Sequence, residues 1–256
     1  MNATVKSPTE IESMAWAGRI VAQCLKLVGD NLRPGLSTEY LDRLAEEFII
    51  GHPGAKPSFK GLYGFPATLC TSVNEEIVHG IPSKKKILKE GDLLSVDVGV
   101  FYENHHADSA ATFPVGEVSE EAKRLLTVTQ DALKAGIQQA IDGNYTGDIG
   151  YSVQQVVENA RFSVVRELVG HGIGTDFHEE PQVPNYGKPR RGYRLKKGMT
   201  IAIEPMVNAG SPDIRTLPDK WTVVTIDGRL SAHFEHTVVV GNGAAPPRIL
   251  TKEDPD

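Results

Sequence analysis

The sequence predicts an α+β fold made of two copies of one unit, with helices packed on one side of an antiparallel sheet. Three observations predict it. Leu88-Lys89-Glu90-Gly91-Asp92-Leu93-Leu94-Ser95-Val96-Asp97 aligns with Leu195-Lys196-Lys197-Gly198-Met199-Thr200-Ile201-Ala202-Ile203-Glu204: a polar Gly turn, an apolar run, then a carboxylate. Val78-His79-Gly80-Ile81-Pro82 aligns with Gly170-His171-Gly172-Ile173-Gly174, and Ala107-Asp108-Ser109 with Phe234-Glu235-His236. Each half also reads helix, helix, then strands, which implies a pseudo-two-fold axis between the halves. The halves span about 8–116 and 119–241. No linker separates them, so residues 1–256 are expected to form one domain.

The elements follow in order. Ser7-Pro8-Thr9-Glu10 reads as a helix start: Ser7 caps, Pro8 suits the first helical position, and Glu10 reaches back to the cap. Ile11, Met14, Val21, Cys24, Leu25 and Val28 continue at helical spacing until Arg33-Pro34-Gly35. A second helix is expected from about Thr38, with Leu41, Leu44, Phe48 and Ile49 on one face, broken by Gly51-His52-Pro53-Gly54. Loop and short strand fill Pro57 to Pro82. Leu93–Phe101 and His106–Phe113 are expected to form a hairpin. In the second half, Ser119-Glu120-Glu121 opens a helix carrying Leu125, Leu126, Ala132, Leu133, Ile137 and Ile141, stopped by Gly143-Asn144. Thr146-Gly147-Asp148 opens another, carrying Ile149, Val153, Val157 and Ala160. Strands are expected near Ile201–Val207, Trp221–Ile226 and Leu230–Val240, with Asp227-Gly228 as a hairpin turn. Ala244–Asp256, rich in Pro and charge, reads as a solvated tail.

Composition narrows the function classes. With 40% hydrophobic and 23% charged residues, the chain has ordinary globular composition. No apolar run approaches the ~18 residues of a membrane span, and the N-terminus lacks the apolar core of a secretory signal. Cys24 and Cys70 give no disulfide framework. A cytoplasmic protein with no membrane partner is expected. The net charge of −6 argues against general nucleic-acid binding.

Asp97 sits among Val96, Val98 and Val100, and Asp108 between Ala107 and Ala110-Ala111. Glu204 follows Ile201-Ala202-Ile203, and Glu235 follows Phe234. One such carboxylate is readily a strand-edge residue facing water. Four in duplicated positions need a partner, because a buried unpaired charge is costly. Two divalent cations bridged by carboxylates explain all four, with His171 as the nitrogen donor. The glycines around His171 permit close backbone approach; as a nucleotide loop they lack a strand–turn–helix context. Walker, His-Glu-x-x-His, Cys-x-x-Cys and Gly-x-Ser-x-Gly sequences are absent.

These segments, with Ser95-Val96-Asp97-Val98-Gly99, His106-Ala107-Asp108-Ser109-Ala110, Phe177-His178-Glu179-Glu180-Pro181, Ile203-Glu204-Pro205 and Glu235-His236-Thr237, resemble the motifs of type I methionine aminopeptidases. The resemblance runs from the first helix to about Val240. It implies the pita-bread fold, an antiparallel sheet covered by two helix pairs. It also implies removal of an N-terminal methionine from nascent proteins when the second residue is small. By the same resemblance, Asp97, Asp108, His171, Glu204 and Glu235 hold two divalent ions, drawn from Co, Mn, Fe or Zn. Asp108 and Glu235 bridge both ions, Asp97 holds one, and His171 and Glu204 complete the other. His79 and His178 match the substrate-contacting histidines, and Phe59, Leu62, Phe65, Cys70, Phe177 and Trp221 the methionine pocket. Simple core packing is an equal reading for each pocket residue alone. The chain departs from the family at Leu62, where aromatic residues are common, and at His233, where Gln is usual.

The implied mechanism has a bridging hydroxide attack the first carbonyl. Glu204 moves a proton, His178 stabilises the oxyanion and His79 positions the scissile amide. The expected partners are nascent N-termini, and a monomer is the implied form. Lys84-Lys85-Lys86 and Lys188–Lys197 read first as solvated surface, with transient ribosome contact as the functional reading. The 210–227 loop, with only Arg215 and Lys220, is not expected to dock there. Proline-specific relatives carry a large extra N-terminal domain, for which a first helix near Ser7 leaves no room. Type II enzymes carry a long insertion where only 32 residues separate His171 from Glu204. The lack of an N-terminal zinc finger points to the bacterial form. A non-catalytic pita-bread binding protein is the alternative of another class, and such relatives have lost metal ligands.

Overall fold

The computed structural model describes residues 3–253. Its first half contains α1 (Pro8–Asn31), α2 (Thr38–Ile50), β1 (Lys56–Pro57), β2 (Leu69–Val73), β3 (Glu76–Val78), β4 (Leu93–Tyr102) and β5 (His105–Pro114). The second contains α3 (Glu120–Ile137), α4 (Thr146–Asn159), β6 (Ser163–Val164), β7 (Gly170–Gly172), β8 (Glu179–Val183) and β9 (Thr200–Ile203). There follow β10 (Met206–Asn208), β11 (Ile214–Thr216), β12 (Val223–Thr225), β13 (Ser231–His233), β14 (His236–Val239) and β15 (Arg248–Ile249). Every pairing between these strands is antiparallel. Hydrogen bonding divides the expected sheet into four, ordered β1-β4-β2 with β5 on β4, β13-β10-β6, β11-β12-β3 and β15-β14-β9-β7-β8. None of the helices is long and apolar enough to cross a membrane, among the described residues.

Helix starts follow local chemistry. Ser7 Oγ accepts from Glu10 N–H and the Glu10 carboxylate accepts from Ser7 N–H, a reciprocal capping box with Pro8 in the first turn. Ser37 and Ser119 cap α2 and α3 in the same way through their hydroxyls. Each helix pair then buries its apolar face on the strands of its own half. Ala17, Val21, Cys24 and Leu41 pack with Leu94, Val96, Val98 and Val100 of β4. Leu125, Leu133, Ile149 and Val153 pack with Ile201, Ile203 and Val238. These two cores fix the register. Strand side chains alternate between faces, so with Val96 and Val98 turned to the helices, Asp97 points the other way.

Four expectations are corrected. α3 ends at Ile137, short of Ile141, because the segment just after β14 captures the chain: Gly241 N–H donates to Ala140 O and Asp142 N–H to Gly241 O. Ala160 caps α4 rather than continuing it. Asp227-Gly228 turns the chain but does not close a hairpin, since β12 pairs with β11 and β3 while β13 pairs with β10. The Asp227 carboxylate instead accepts from Ser211 and Arg229 N–H and ties two loops together. The expected strands around 201–207 and 230–240 each break where a ligand-type carboxylate stands, at Glu204-Pro205 and Phe234-Glu235. Pro205 has no N–H to give to a ladder, and Glu235 N–H leaves its sheet to bond Ala110 O of β5 at 2.9 Å.

The described part of the tail is not solvated. β15 pairs with β14, Leu250 is fully buried, and residues 254–256 lie outside the described region. Leu250 also explains a glycine inside α1: a Cβ on Gly18 would lie 2.3 Å from Leu250 O. Gly18→Ala gains about 1 kcal/mol of helix propensity, but the overpacking against backbone costs about 1–3 kcal/mol. Urea denaturation should therefore find the variant less stable than wild type; a more stable variant would show that the tail does not dock there.

Candidate active site

The residues marked out by the sequence converge on one cavity of about 320 Å³. Asp97, Asp108, His171, Glu204 and Glu235 line it, together with His79, His178, Phe59, Leu62, Phe65, Cys70, Phe177 and Trp221. The structure brings all of them together. Asp97 comes from β4 and Asp108 from β5, on the face opposite the helices. Glu204 and Glu235 come from the two strand breaks. Glu235 is brought beside β5 by its backbone bond to Ala110, and Ser109 Oγ donates to Glu235 O. Thr237 Oγ1 lies 2.8 Å from Asp108 O and 3.1 Å from its Oδ1.

His171 sits in β7, where a Cβ on Gly172 would lie 2.1 Å from Glu180 O. Glycine at that position lets β8 approach. His171 Nδ1 lies 2.7 Å from Gly172 O. A carbonyl only accepts, so Nδ1 carries the proton and Nε2 presents its lone pair. That nitrogen faces Asp108 Oδ2 and Glu204 Oε1, each 3.7 Å away. Asp108, His171 and Glu235 each offer a ligand atom within 4.8 Å of the others, and all three are buried.

The electrostatics call for a cation. Burial raises Asp97 well above the carboxylate range, with Asp108 adding to the effect. Burial pushes Asp108 up to about 7. Glu204 and Glu235 are both raised, by burial first and then by the other carboxylates. Burial lowers His171 to about 3, so the imidazole is neutral and able to ligate. Asp97 Oδ1 and Glu235 Oε1 are buried without a hydrogen-bond partner among the described residues. Oxygen atoms and one imidazole nitrogen, buried and unpaired, are a donor set that fits first-row divalent ions.

The opposite wall is apolar. Phe59 meets Phe177 edge-on at 5.3 Å and Phe65 meets Trp221 at 5.1 Å. Trp221 is held by Asp219, whose carboxylate accepts from the N–H groups of Trp221 and Thr222. Cys70 lies between this wall and the carboxylates, and burial pushes its thiol well above its usual range. His178 stands at the rim, its ring 4.4 Å from that of His171. His79 occupies the left-handed region at φ 58°. Burial, and then His178, lower it to about 4.

Sequence reasoning missed Tyr63. It is 73% exposed and stacks on His178 at 5.7 Å. An aromatic residue in Gly61-Leu62-Tyr63-Gly64 was the available signal. His233, noted only as a departure from the family, also lines the cavity, with Nε2 3.9 Å from Glu204 Oε2.

The family model for metallopeptidase family M24 matches residues 12–242. The chain belongs to metallopeptidase family M24. Methionine aminopeptidase 1 of Bacillus subtilis is 52% identical to this M24 chain, covering 92% of it and 94% of the relative. The methionine aminopeptidase of Escherichia coli K12 is 42% identical, covering 99% and 96%. The crystal structure of the Thermotoga maritima methionine aminopeptidase superposes with a TM-score of 0.95 at 44% identity, covering 98% of this chain and 100% of that one. These relatives place the M24 chain among the bacterial-type methionine aminopeptidases, as a hydrolase. A prolidase from Pyrococcus horikoshii shares the pita-bread fold, with a TM-score of 0.77 at 21% identity over 64% of its length.

The raised carboxylates set a pH dependence for the metal-stripped enzyme. A carboxyl whose folded pKa exceeds its unfolded value near 4 binds more protons in the folded state. Its stabilising effect is complete at low pH and lost as pH rises through the folded value. Histidines lowered by burial act in the opposite direction, and their effect fades only about one pH unit above the unfolded imidazole value of about 6.5. Beyond that the carboxylates dominate, joined near pH 8 by the buried thiols of Cys24 and Cys70, which are raised in the same sense. The Tm of the metal-stripped protein should fall between pH 7.5 and 8.5; a flat or rising Tm would contradict the cluster's shifts.

Proposed function

We propose that this chain removes the N-terminal methionine from nascent proteins and peptides when the second residue is small, by metal-dependent hydrolysis. The supporting observation is a single cavity with carboxylates and one neutral imidazole on one wall and Phe59, Phe65, Cys70 and Trp221 on the other. Asp97, Asp108, His171, Glu204 and Glu235 would hold two divalent ions, of Mn, Fe, Co or Zn according to supply. When bound, the ions would supply Lewis acidity and make a water acidic enough to serve as nucleophile near neutral pH.

The chain's own groups do the rest. The apolar wall receives the methionine side chain, and its aromatic rings and Cys70 suit a thioether. Glu204 exchanges a proton with the attacking water. His178, its pKa lowered by burial, is neutral and donates an N–H to the developing oxyanion. His79 is neutral for the same reason and positions the scissile amide. Residues of both halves line the cavity, which supports one catalytic domain over 1–256. Of the basic stretches, Lys86 is occupied by Glu76 at 2.6 Å. The exposed cations between Lys188 and Lys197 offer the charge that a transient ribosome contact would use.

Release of methionine from Met-Ala-Ser and Met-Lys-Ser tests the reading. Metal-stripped protein resupplied with Co²⁺ or Mn²⁺ should cleave the first peptide and spare the second. Cleavage of neither by folded, metal-loaded protein would overturn it. Glu204→Gln should stay folded and lose roughly 10²–10⁴-fold in kcat; wild-type turnover would remove Glu204 from the proton transfer.

A further inference from the structure

His178 stands at the rim of the cavity on an irregular turn between β7 and β8, residues 173–178. Its ring stacks on Tyr63, which is itself exposed and whose hydroxyl lies 3.3 Å from His178 Nδ1, and packs against His171 and Phe177 inside; none of these contacts holds the backbone. Something else must fix the turn. Behind it lies a buried ion pair that the reaction does not use. Lys6 Nζ is 2.6 Å from Glu179 Oε2, with side chains only 4% and 11% exposed. Thr4 Oγ1 donates to the same oxygen at 2.7 Å, and Lys6 Nζ donates to Thr4 Oγ1.

The other Glu179 oxygen faces the turn. Oε1 accepts from Asp176 N–H at 3.3 Å and Thr175 Oγ1 at 3.5 Å. Lys6 is anchored in turn: its N–H donates to Gly198 O at 2.9 Å, and Val5 bridges Met199 just before β9. Gly174 makes room, since a Cβ there would lie 2.4 Å from both Lys6 Cε and Glu179 Oε1. Gly174 O accepts from His106 N–H of β5. The turn is thus held from β9 through Lys6, from within through Glu179, and from β5 through His106.

We propose that Lys6 and Glu179 are positioning residues that fix the turn carrying Phe177 and His178. The N-terminal segment thereby acts on the reaction although it touches no substrate. What His178 does once positioned rests on the aminopeptidase reading. Misplacing a group by about 1 Å can cost about 10²-fold in rate, so the pair governs kcat through His178, and it acts on methionine binding as far as Phe177 of the apolar wall moves with the turn.

Three variants test this. Lys6→Met leaves Glu179 unpaired; the double variant Lys6→Met/Glu179→Leu removes both charges and keeps the volume apolar, which a fold tolerates better. The double variant should fold and show kcat on Met-Ala-Ser lowered about 10- to 100-fold, a larger change than any rise in KM. Amide exchange should quicken in 173–179 and stay unchanged in α1 and α3. Lys6→Arg should restore most of kcat and the slow exchange. Wild-type kcat with unchanged exchange in the turn would overturn the proposal. So would a loss of activity with exchange raised evenly across the protein, which is a general stability effect. If the wild type does not cleave Met-Ala-Ser, the aminopeptidase reading fails, and the exchange pattern alone still decides the positioning role.

Discussion

Four carboxylates crowded onto one face of a strand assembly are the constraint on which the structure depends. Two unit charges 4 Å apart repel by about 4 kcal/mol at an effective dielectric of ~20, while a folded domain has only about 5–15 kcal/mol in hand. Asp97, Asp108, Glu204 and Glu235 therefore cannot all be ionised in this cavity without a counter-charge. Proton uptake, visible as raised pKa values, is one answer, and cations are the other. His171 is arranged for the second. Its Nδ1 proton is committed to Gly172 O, which leaves Nε2 with nothing to donate and a lone pair to offer.

The helix cores hold the carboxylates there. Val96 and Val98 packed against α1 and α2, and Ile201 and Ile203 packed against α3 and α4, leave the alternate strand face for Asp97 and Glu204. The second requirement is that the two halves meet. Glu235 N–H bonds Ala110 O, Thr112 Oγ1 is 2.8 Å from both N and O of His233, and Thr237 braces Asp108. These bonds join β5 to the segment between β13 and β14 that carries Glu235. The strand break at Phe234-Glu235 is thus part of the site, since a continuous ladder would use the backbone N–H that crosses to β5.

What could be read in the sequence follows the same physics. The capping box at Ser7-Pro8-Thr9-Glu10, the hairpin of β4 and β5 and the duplicated carboxylates depend on neighbours in the chain or on period-two alternation, and both are local. The end of α3 was misjudged because Gly241, a hundred residues on, captures Ala140 and Asp142. The docking of Leu250 on Gly18 is likewise a long-range contact between two unremarkable residues. Tyr63 escaped notice because its partner, His178, is brought to it only by the fold. The repeat also aligns His79 with His171. Of the two, only His171 lies within 4 Å of a carboxylate oxygen, at 3.7 Å, while His79 occupies a left-handed backbone position.

Calorimetric titration of the metal-stripped protein with Co²⁺ tests the central claim most directly, run at pH 7 in two buffers of different ionisation enthalpy. Two ions bound per chain, with protons released to the buffer as the carboxylates surrender them, is the result the crowded cluster requires. Asp108→Asn should lower the stoichiometry or weaken binding at least about tenfold. No binding at micromolar Co²⁺, or binding with no proton release and no effect of Asp108→Asn, would contradict it.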